Sequence, residues 1–391
     1  MRERGIRIGR LFGIQIYLDW SWFFMFILIT WNLASVFSEL HPEWQVFLRW
    51  GTALAASLLF FASVLAHELA HSIAARAYGI PVRHITLMLF GGVANIQRDP
   101  PSPKAEFLIT AVGPVTSIFL GFFFLFAAGL VTRSMALEAV QEPTAVMAQL
   151  GPITTLILWL GPVNLLLGFF NLIPGFPLDG GRILRAILWA LTDNLQQATR
   201  WAASVGQIVA WGLIIAGISM VFGATLPFFG SGLVNGLWLA FIGWFLNNAA
   251  LESRRQVVIE DMLEGVPVAK MMHSNPPTVP ANITINSLVH DHLMNHDDHA
   301  FPVEDDDQLV GLVTLEDVRA IPRGQWDTTY VREVMTPLDK LATLPTTAEA
   351  DEALHQLGQL DVRQVPVLEN GRLVGLVRRR DIMRWLQLQG A

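Results

Sequence analysis

The sequence predicts an α-helical polytopic membrane module followed by a soluble α/β module built as a tandem repeat. Three observations point there: six long apolar runs, a change of charge balance near residue 255, and an internal repeat near the C-terminus. The 391 residues are 52% hydrophobic and only 15% charged, whereas roughly a quarter of an ordinary globular protein is charged. Residues 1–255 carry a net +3 and residues 256–391 a net −10, which together give the −7 of the whole chain. That balance offers no general argument for nucleic-acid binding. With no cysteine, a disulfide framework, a cysteine nucleophile and a thiolate metal site are all excluded. Metal ligands must come from His, Asp or Glu.

A bilayer core needs about 20 mostly apolar residues per helix. Residues 17–36, 47–75, 106–131, 153–172, 201–222 and 233–250 qualify, the fourth being interrupted by glycines and an asparagine. The N-terminus opens with Arg2, Arg4, Arg7 and Arg10. No small-residue cleavage site follows the first apolar run, so an anchored helix is expected rather than a removed signal peptide. Lys and Arg near span ends are retained on the cytoplasmic side. Placing both ends of the membrane module inside leaves only Arg49 and Arg133 outside. The expected arrangement therefore has an even number of spans, with the N-terminus and the C-terminal module in the cytosol.

The second run contains His67, Glu68 and His71 as H-E-x-x-H. On a helix, positions i and i+4 share a face, so both imidazoles reach one cation while Glu68 addresses its bound water. Neutral imidazole is a good zinc ligand, and the carboxylate accepts the proton that water loses on attack. The preceding segment, SLLFFASVLA, is apolar and sets these polar groups within or beside the membrane, where ionisable groups are costly and have partners. A structural hydrogen-bond cluster in the membrane is the alternative. A catalytic zinc takes three protein ligands and keeps an open position. The segment NLLLGFFNLIPGFPLDGGRILRA offers Asp179, beyond Pro174 and Pro177 and before Gly180 and Gly181. Broken backbone at membrane depth is tolerated where it is buried or lines a wet cavity. The alternative for Asp179 is an N-cap or loop aspartate ahead of a helix starting near Gly181.

HELAH followed about a hundred residues later by NLIPGFPLDGG resembles the site-2 protease family of intramembrane zinc metalloproteases, over roughly residues 6–250. The resemblance implies His67, His71 and Asp179 as zinc ligands and Glu68 as general base. It also implies that Asn171 positions the scissile carbonyl or its developing oxyanion; capping of free backbone groups at a broken helix is the other role open to it. The run ITLMLFGGVANI, with Gly91, Gly92 and Asn95, resembles that family's membrane-embedded β-hairpin, which guides substrate. A helical substrate must be locally extended before hydrolysis, and pairing with an exposed strand stabilises the extended form. An ordinary cytosolic hairpin is the alternative. The expected reaction is hydrolysis of a peptide bond within, or at the cytosolic edge of, a transmembrane helix of a membrane-spanning substrate, in a prokaryotic plasma membrane.

After the spans, ESRRQVVIEDMLEGVP reads as a short helical linker. Met272 to Met335 spans 63 residues and Asp317 to Asp381 spans 64, so the repeat is constant within one insertion. Each copy reads as strand, helix, strand, strand, helix. Two such units resemble paired cystathionine-β-synthase (CBS) domains, which implies a cytosolic module responsive to an adenine nucleotide (ATP, ADP or AMP) and pairing between chains as a homodimer. The family's Gly-x-x-Thr-x-x-Asp run matches Gly311, Thr314 and Asp317 in the first copy; the second keeps Gly375 and Asp381 but has Arg378 in place of Thr. Arg378 either pairs with a phosphate or stands as a solvated residue. The resulting organisation is 1–251 membrane protease domain, 252–265 linker, 266–322 first CBS domain and 323–391 second. The cluster His290, His292, His296 and His299 reads as an exposed helical face, because no further ligand is placed by sequence. A CBS-regulated transporter or channel, with His67, Glu68, His71 and Asp179 lining an ion path, is the rival function.

Overall fold

The computed structural model describes residues 5–89, 91–96, 99–133, 149–227, 230–294, 300–306, 308–360 and 362–389. The chain divides into two compact units, Met1–Val257 and Val258–Ala391.

In the first unit, the helices α1 (Trp20–Leu40), α2 (Val46–Ala77), α3 (Pro103–Thr132), α4 (Pro152–Asn171), α6 (Leu195–Val221) and α7 (Leu233–Leu263) alternate with one shorter helix, α5 (Asp179–Thr192). Among the described residues, six helices are long and apolar enough to cross a membrane, α7 over Leu233–Arg255. Phe119, Phe122, Phe123 and Phe126 on α3 and Trp20, Phe24 and Trp31 on α1 are exposed, as suits side chains that lipid covers. α3 is central, packing on α2, α4 and α5; its internal Pro114 is tolerated because neighbouring helices satisfy freed backbone groups.

The first span begins at Trp20 rather than at residue 17. Asp19 caps α1 by accepting from the Ser21 amide, and Tyr17 belongs to a strand. β1 (Ile6–Leu11) and β2 (Ile14–Leu18) form an antiparallel hairpin whose two loop residues, Phe12 (φ 48°) and Gly13 (φ 78°), are both left-handed, as a two-residue hairpin with strand-matched twist requires. β2 pairs in parallel with β3 (Val82–Met88), which pairs antiparallel with β4 (Gly91–Ile96). The sheet order is β1-β2-β3-β4. The parallel pair needs a long crossover, supplied by α1 and α2, and β4 is left as an edge.

In the second unit the sequence repeat and the spatial halves are offset by one short strand. One sheet runs β6 (Val279–Pro280), β7 (Ala300–Asp305), β8 (Gln308–Thr314), β9 (Thr336–Pro337); the other runs β10 (Leu344–Pro345), β11 (Gln364–Glu369), β12 (Arg372–Arg378), β5 (His273–Ser274). Each copy thus lends its first strand to the other copy's sheet. The cores follow suit: Val268 and Met271 pack with Val365, Val377 and Ile382, while Val331 packs with Phe301 and Val313. The helices here are short: α8 (Ile285–Ser287), α9 (Leu315–Arg319), α10 (Val331–Val334), α11 (Ala350–Gln359) and α12 (Arg379–Leu388). Asn370 and Gly371, both at positive φ, close β11 onto β12, the dipeptide a type I′ turn selects. The stretch read as a linker, 252–265, is mostly the last turns of α7, whose terminal Leu263 is fully buried in this unit's core.

Candidate metal centre

His67 and His71 stand one turn apart on α2, both buried, with their rings edge to face and centroids 4.8 Å apart. The Nδ1 of His71 lies 2.8 Å from the Ile109 carbonyl oxygen. A carbonyl only accepts, so the proton sits on Nδ1 and the Nε2 lone pair is free. The Nδ1 of His67 meets Ser117 Oγ at 2.9 Å, which orients that ring in the same way. Ile109, Gly113 and Ser117 follow at intervals of four along α3 and form one stripe. Between the two supports, a Cβ on Gly113 would lie 2.8 Å from His67 Nε2 and closer still to His71. α3 can back the imidazoles only with glycine there. None of these three residues was singled out by sequence.

Asp179 is the first residue of α5, and its Oδ2 lies 3.0 Å from His67 Nε2 and 3.2 Å from His71 Nε2; the two Nε2 atoms are 3.2 Å apart. The N-cap position belongs to Leu178, so the aspartate does not serve its own helix. Three atoms able to ligate a metal converge on one point, as they do around a shared cation. A tetrahedral zinc with bonds of about 2.0–2.1 Å separates its ligand atoms by about 3.3 Å, close to the spacings found. The donor set therefore fits zinc, with a fourth position open. Among the described residues, His67, His71 and Asp179 are the group of His, Asp and Glu that converges in this way.

The turn after α4 sets Asp179 in place. Side chains at Gly180 and Gly181 would collide with the backbone of Leu172–Ile173 and Gly175–Phe176 respectively, so the broken segment folds directly over the start of α5. α5 is tied to α3 by Arg185, whose Nε lies 2.7 Å from Oε1 of the fully buried Glu106 and whose Nη2 meets the same oxygen. Arg185 also stacks on the Phe176 ring at 5.6 Å. Removing one partner of such a buried pair costs about 3–5 kcal/mol.

Glu68 faces a cavity of about 610 Å³ that is also lined by the imidazoles, Asp179, Asn171, Arg182 and β4. A Cβ on Gly92 would run into the Glu68 side chain, so the sheet edge rests on the carboxylate at that residue. Gly91 lines the cavity too. Asn95 does not; it is exposed. Asn171 ends α4 and donates from Nδ2 to the Leu167 carbonyl at 2.9 Å, so one of its amide hydrogens serves its own helix. Trp238, Ile242 and Phe245 of α7 form an apolar wall.

In the second unit, Thr314 and Asp317 close on each other. Asp317 Oδ2 accepts from the Thr314 amide and hydroxyl at 2.8 and 2.7 Å, a capping box at the start of α9. In the second copy, Arg378 donates from Nε and Nη2 to the two oxygens of Asp381 at 2.6 and 3.1 Å. Arg378 thus pairs with Asp381 and, having no acceptor, leaves α12 without the side-chain cap that Thr314 gives α9. Gly311 passes close to Thr336 O and Met335 Sδ, where a Cβ would lie 2.6 and 2.8 Å away. His290 is exposed and bonds Asn286 O at 2.9 Å, and His292 packs near Phe301; His296 and His299 lie outside the described residues.

Comparison with known proteins gives the family of the chain. Residues 55–213 match the model of peptidase family M50, and 268–324 and 331–388 each match the CBS domain. The chain is 34% identical over 390 residues to the candidate zinc metalloprotease Rip3 of Mycobacterium tuberculosis, covering 99% of this chain and 94% of that one. It is 32% identical over 394 residues to the candidate zinc metalloprotease sll0528 of Synechocystis, covering 100% and 97%. A solved site-2 protease from Methanocaldococcus jannaschii aligns at 28% identity with a TM-score of 0.42, over 64% of this chain and 95% of that one.

Proposed function

The chain belongs to peptidase family M50, the site-2 proteases, as a membrane zinc metalloprotease with two CBS domains, and from that premise we propose that it hydrolyses a peptide bond within or beside the cytosolic end of a substrate's transmembrane helix. The observation that carries this is the meeting of His67, His71 and Asp179 beside Glu68, beneath the outer edge of β4, which pairs with no further strand among the described residues. His67, His71 and Asp179 hold the zinc. Bound there, zinc lowers the pKa of a water and polarises a carbonyl. Ser117 and the Ile109 carbonyl fix the ring orientations, which keeps the Nε2 lone pairs on the ion. Glu68 takes the proton from the attacking water and delivers it to the leaving amine nitrogen. Asn171, with its remaining amide hydrogen, orients the scissile carbonyl.

The edge strand β4 receives the unwound substrate as an added strand, with Gly91 and Gly92 letting its backbone approach Glu68 and Asn95 meeting it from the exposed side. The apolar wall of α7 supports a site at membrane depth. An ion path needs no base beside the first imidazole, and membership of a metalloprotease family sets the transporter alternative aside. The CBS module binds an adenine nucleotide through Gly311, Thr314 and Asp317, with Asp381 contributing at the second cleft, and adjusts cleavage. Pairing of these modules makes a homodimer. The protein sits in a prokaryotic plasma membrane with its N-terminus and CBS module in the cytosol.

The test is cleavage of single-span helical peptides by the full chain in proteoliposomes, with Glu68→Gln as the comparison. Glu68→Gln is expected to retain zinc and lose cleavage by about 10²–10⁴-fold. Full cleavage by that variant removes Glu68 from the mechanism, and wild-type protein that binds zinc but cuts none of the peptides opposes the reading itself.

A further inference from the structure

The cavity holds a cation that the mechanism above does not use. Arg182 lies one turn beyond Asp179 on α5, on the same side of the helix, and lines the cavity with Glu68, Asp179 and Asn171. It is the one cationic Lys or Arg among the described lining residues. Its contact to protein is weak: Nε stands 3.9 Å from Glu106 Oε1, an oxygen that Arg185 already occupies with Nε and Nη2. Two guanidinium groups thus share the buried Glu106 carboxylate, Arg185 also standing 3.8 Å from Asp99, and Arg182 is the looser partner. Its two terminal amino groups have no ion-pair or hydrogen-bond partner among the described residues, and its side chain is 29% exposed. A guanidinium that lines an apolar-walled cavity beside the Glu68 carboxylate, with its terminal groups not engaged by a hydrogen bond among the described residues, marks a site of function.

Resting on the hydrolytic reading, we propose that Arg182 is a further catalytic residue, whose terminal N–H groups hold the scissile carbonyl oxygen as it becomes negative. In the step it serves, the water oxygen bonds to the carbonyl carbon, Glu68 takes a water proton, and the carbonyl π pair moves to the oxygen facing Arg182. When the C–N bond breaks, that pair returns, the proton passes from Glu68 to the leaving nitrogen, and the products are an amine and a carboxylic acid, which releases the second water proton to solvent to leave a carboxylate. Asn171 alone supplies a poor oxyanion site, because one of its amide hydrogens is held by Leu167 O. The guanidinium fork gives the donors and the charge that the developing oxyanion needs.

The experiment is steady-state cleavage of a peptide that wild-type protein cuts in proteoliposomes, alongside zinc stoichiometry, for Arg182→Met and Arg182→Lys. Arg182→Met is expected to lower kcat by about 100-fold, in the range found for removing one oxyanion donor, with KM and zinc content near wild type. Arg182→Lys keeps the charge without the fork and should recover part of that loss. A kcat within threefold of wild type in either variant overturns the assignment. So does a loss that appears only in KM, or one matched by loss of zinc, which makes Arg182 a support for Asp179. Should Arg182→Met fail to fold, the Lys variant decides alone by the same kcat criterion. Wild-type protein that cuts no peptide defeats the hydrolytic reading and this assignment with it, whereas cleavage indifferent to residue 182 defeats only the latter.

Discussion

The membrane unit and the C-terminal unit each place an aspartate in the first turn of a helix, and they use it in opposite ways. Asp317 turns back to its own Thr314 in a capping box, and Asp381 is gripped by Arg378 three residues before it. Asp179 leaves α5 and reaches imidazoles 112 and 108 residues away in sequence. Locally the three look alike, since an acidic residue at a helix start is favoured by the helix dipole and by free N–H groups. What separates them is the surroundings. Asp179 is largely buried and finds its partners on another element, α2, which brings two imidazole nitrogens to the same oxygen. In the α/β unit a partner is available within one turn, so the side chain stays local.

That contrast breaks if Asp179 proves to be a helix-start residue like the others. Asp179→Ala is expected to lower zinc affinity and cleavage by about 10³-fold or more, since two imidazoles remain where three ligands are needed. Metal analysis and peptide cleavage check this, and a variant that keeps zinc at full affinity would falsify the assignment. Chelation of the wild-type protein should abolish cleavage, with activity returning on zinc addition. Gly113→Ala comes next. Its methyl group would press on both Nε2 atoms, and a loss of about 100-fold in zinc affinity is expected from displaced ligands. Gly129→Ala on the same helix, where a Cβ meets nothing within 4 Å, serves as the comparison and should keep zinc affinity unchanged.

The chemistry-bearing side chains were legible because their spacing states their function. His67, Glu68 and His71 lie on one helical stretch, and Asp179 sits in a segment whose prolines and glycines cannot continue a span. The support behind them was not legible. Ile109, Gly113 and Ser117 are ordinary residues of an apolar helix, and only the small-residue spacing Gly113–Ser117 hints at a close approach. The hairpin β1–β2 was hidden because its apolar alternation runs straight into the first span, although Phe12-Gly13 marks the turn. Its parallel pairing with β3 is a contact across 69 residues, from Gln15 to His84, which no local pattern encodes. In the C-terminal unit the repeat was plain, yet the exchange of β5 and β9 between copies was not, since a short strand can pair within its own copy or across to the equivalent place in the other. The fork from Arg378 to Asp381 likewise depends on the side chain turning back along α12, where sequence offered a phosphate or solvent as readily.

The smaller effects sharpen the contrast between the two units. Ser117→Ala removes the Nδ1 partner of His67 without touching its Nε2, and losing the hydrogen bond that orients a ligating imidazole costs about 10-fold in metal affinity or activity. A zinc titration that shows no change makes the hydroxyl incidental. Thr314→Ala removes the cap of α9 and is expected to cost about 1 kcal/mol, read as a lower melting temperature of the C-terminal unit. Arg378→Ala removes both donors from Asp381, a pair with side chains only 12% and 17% exposed, so the carboxylate is left partly buried and unpaired at a cost of about 1–3 kcal/mol. If the polar pairs of this unit are local, as the distances say, neither variant changes zinc affinity. A shift in zinc binding on altering Arg378 would instead mean that the two units are energetically coupled, and the contrast drawn from the three aspartates would no longer separate them.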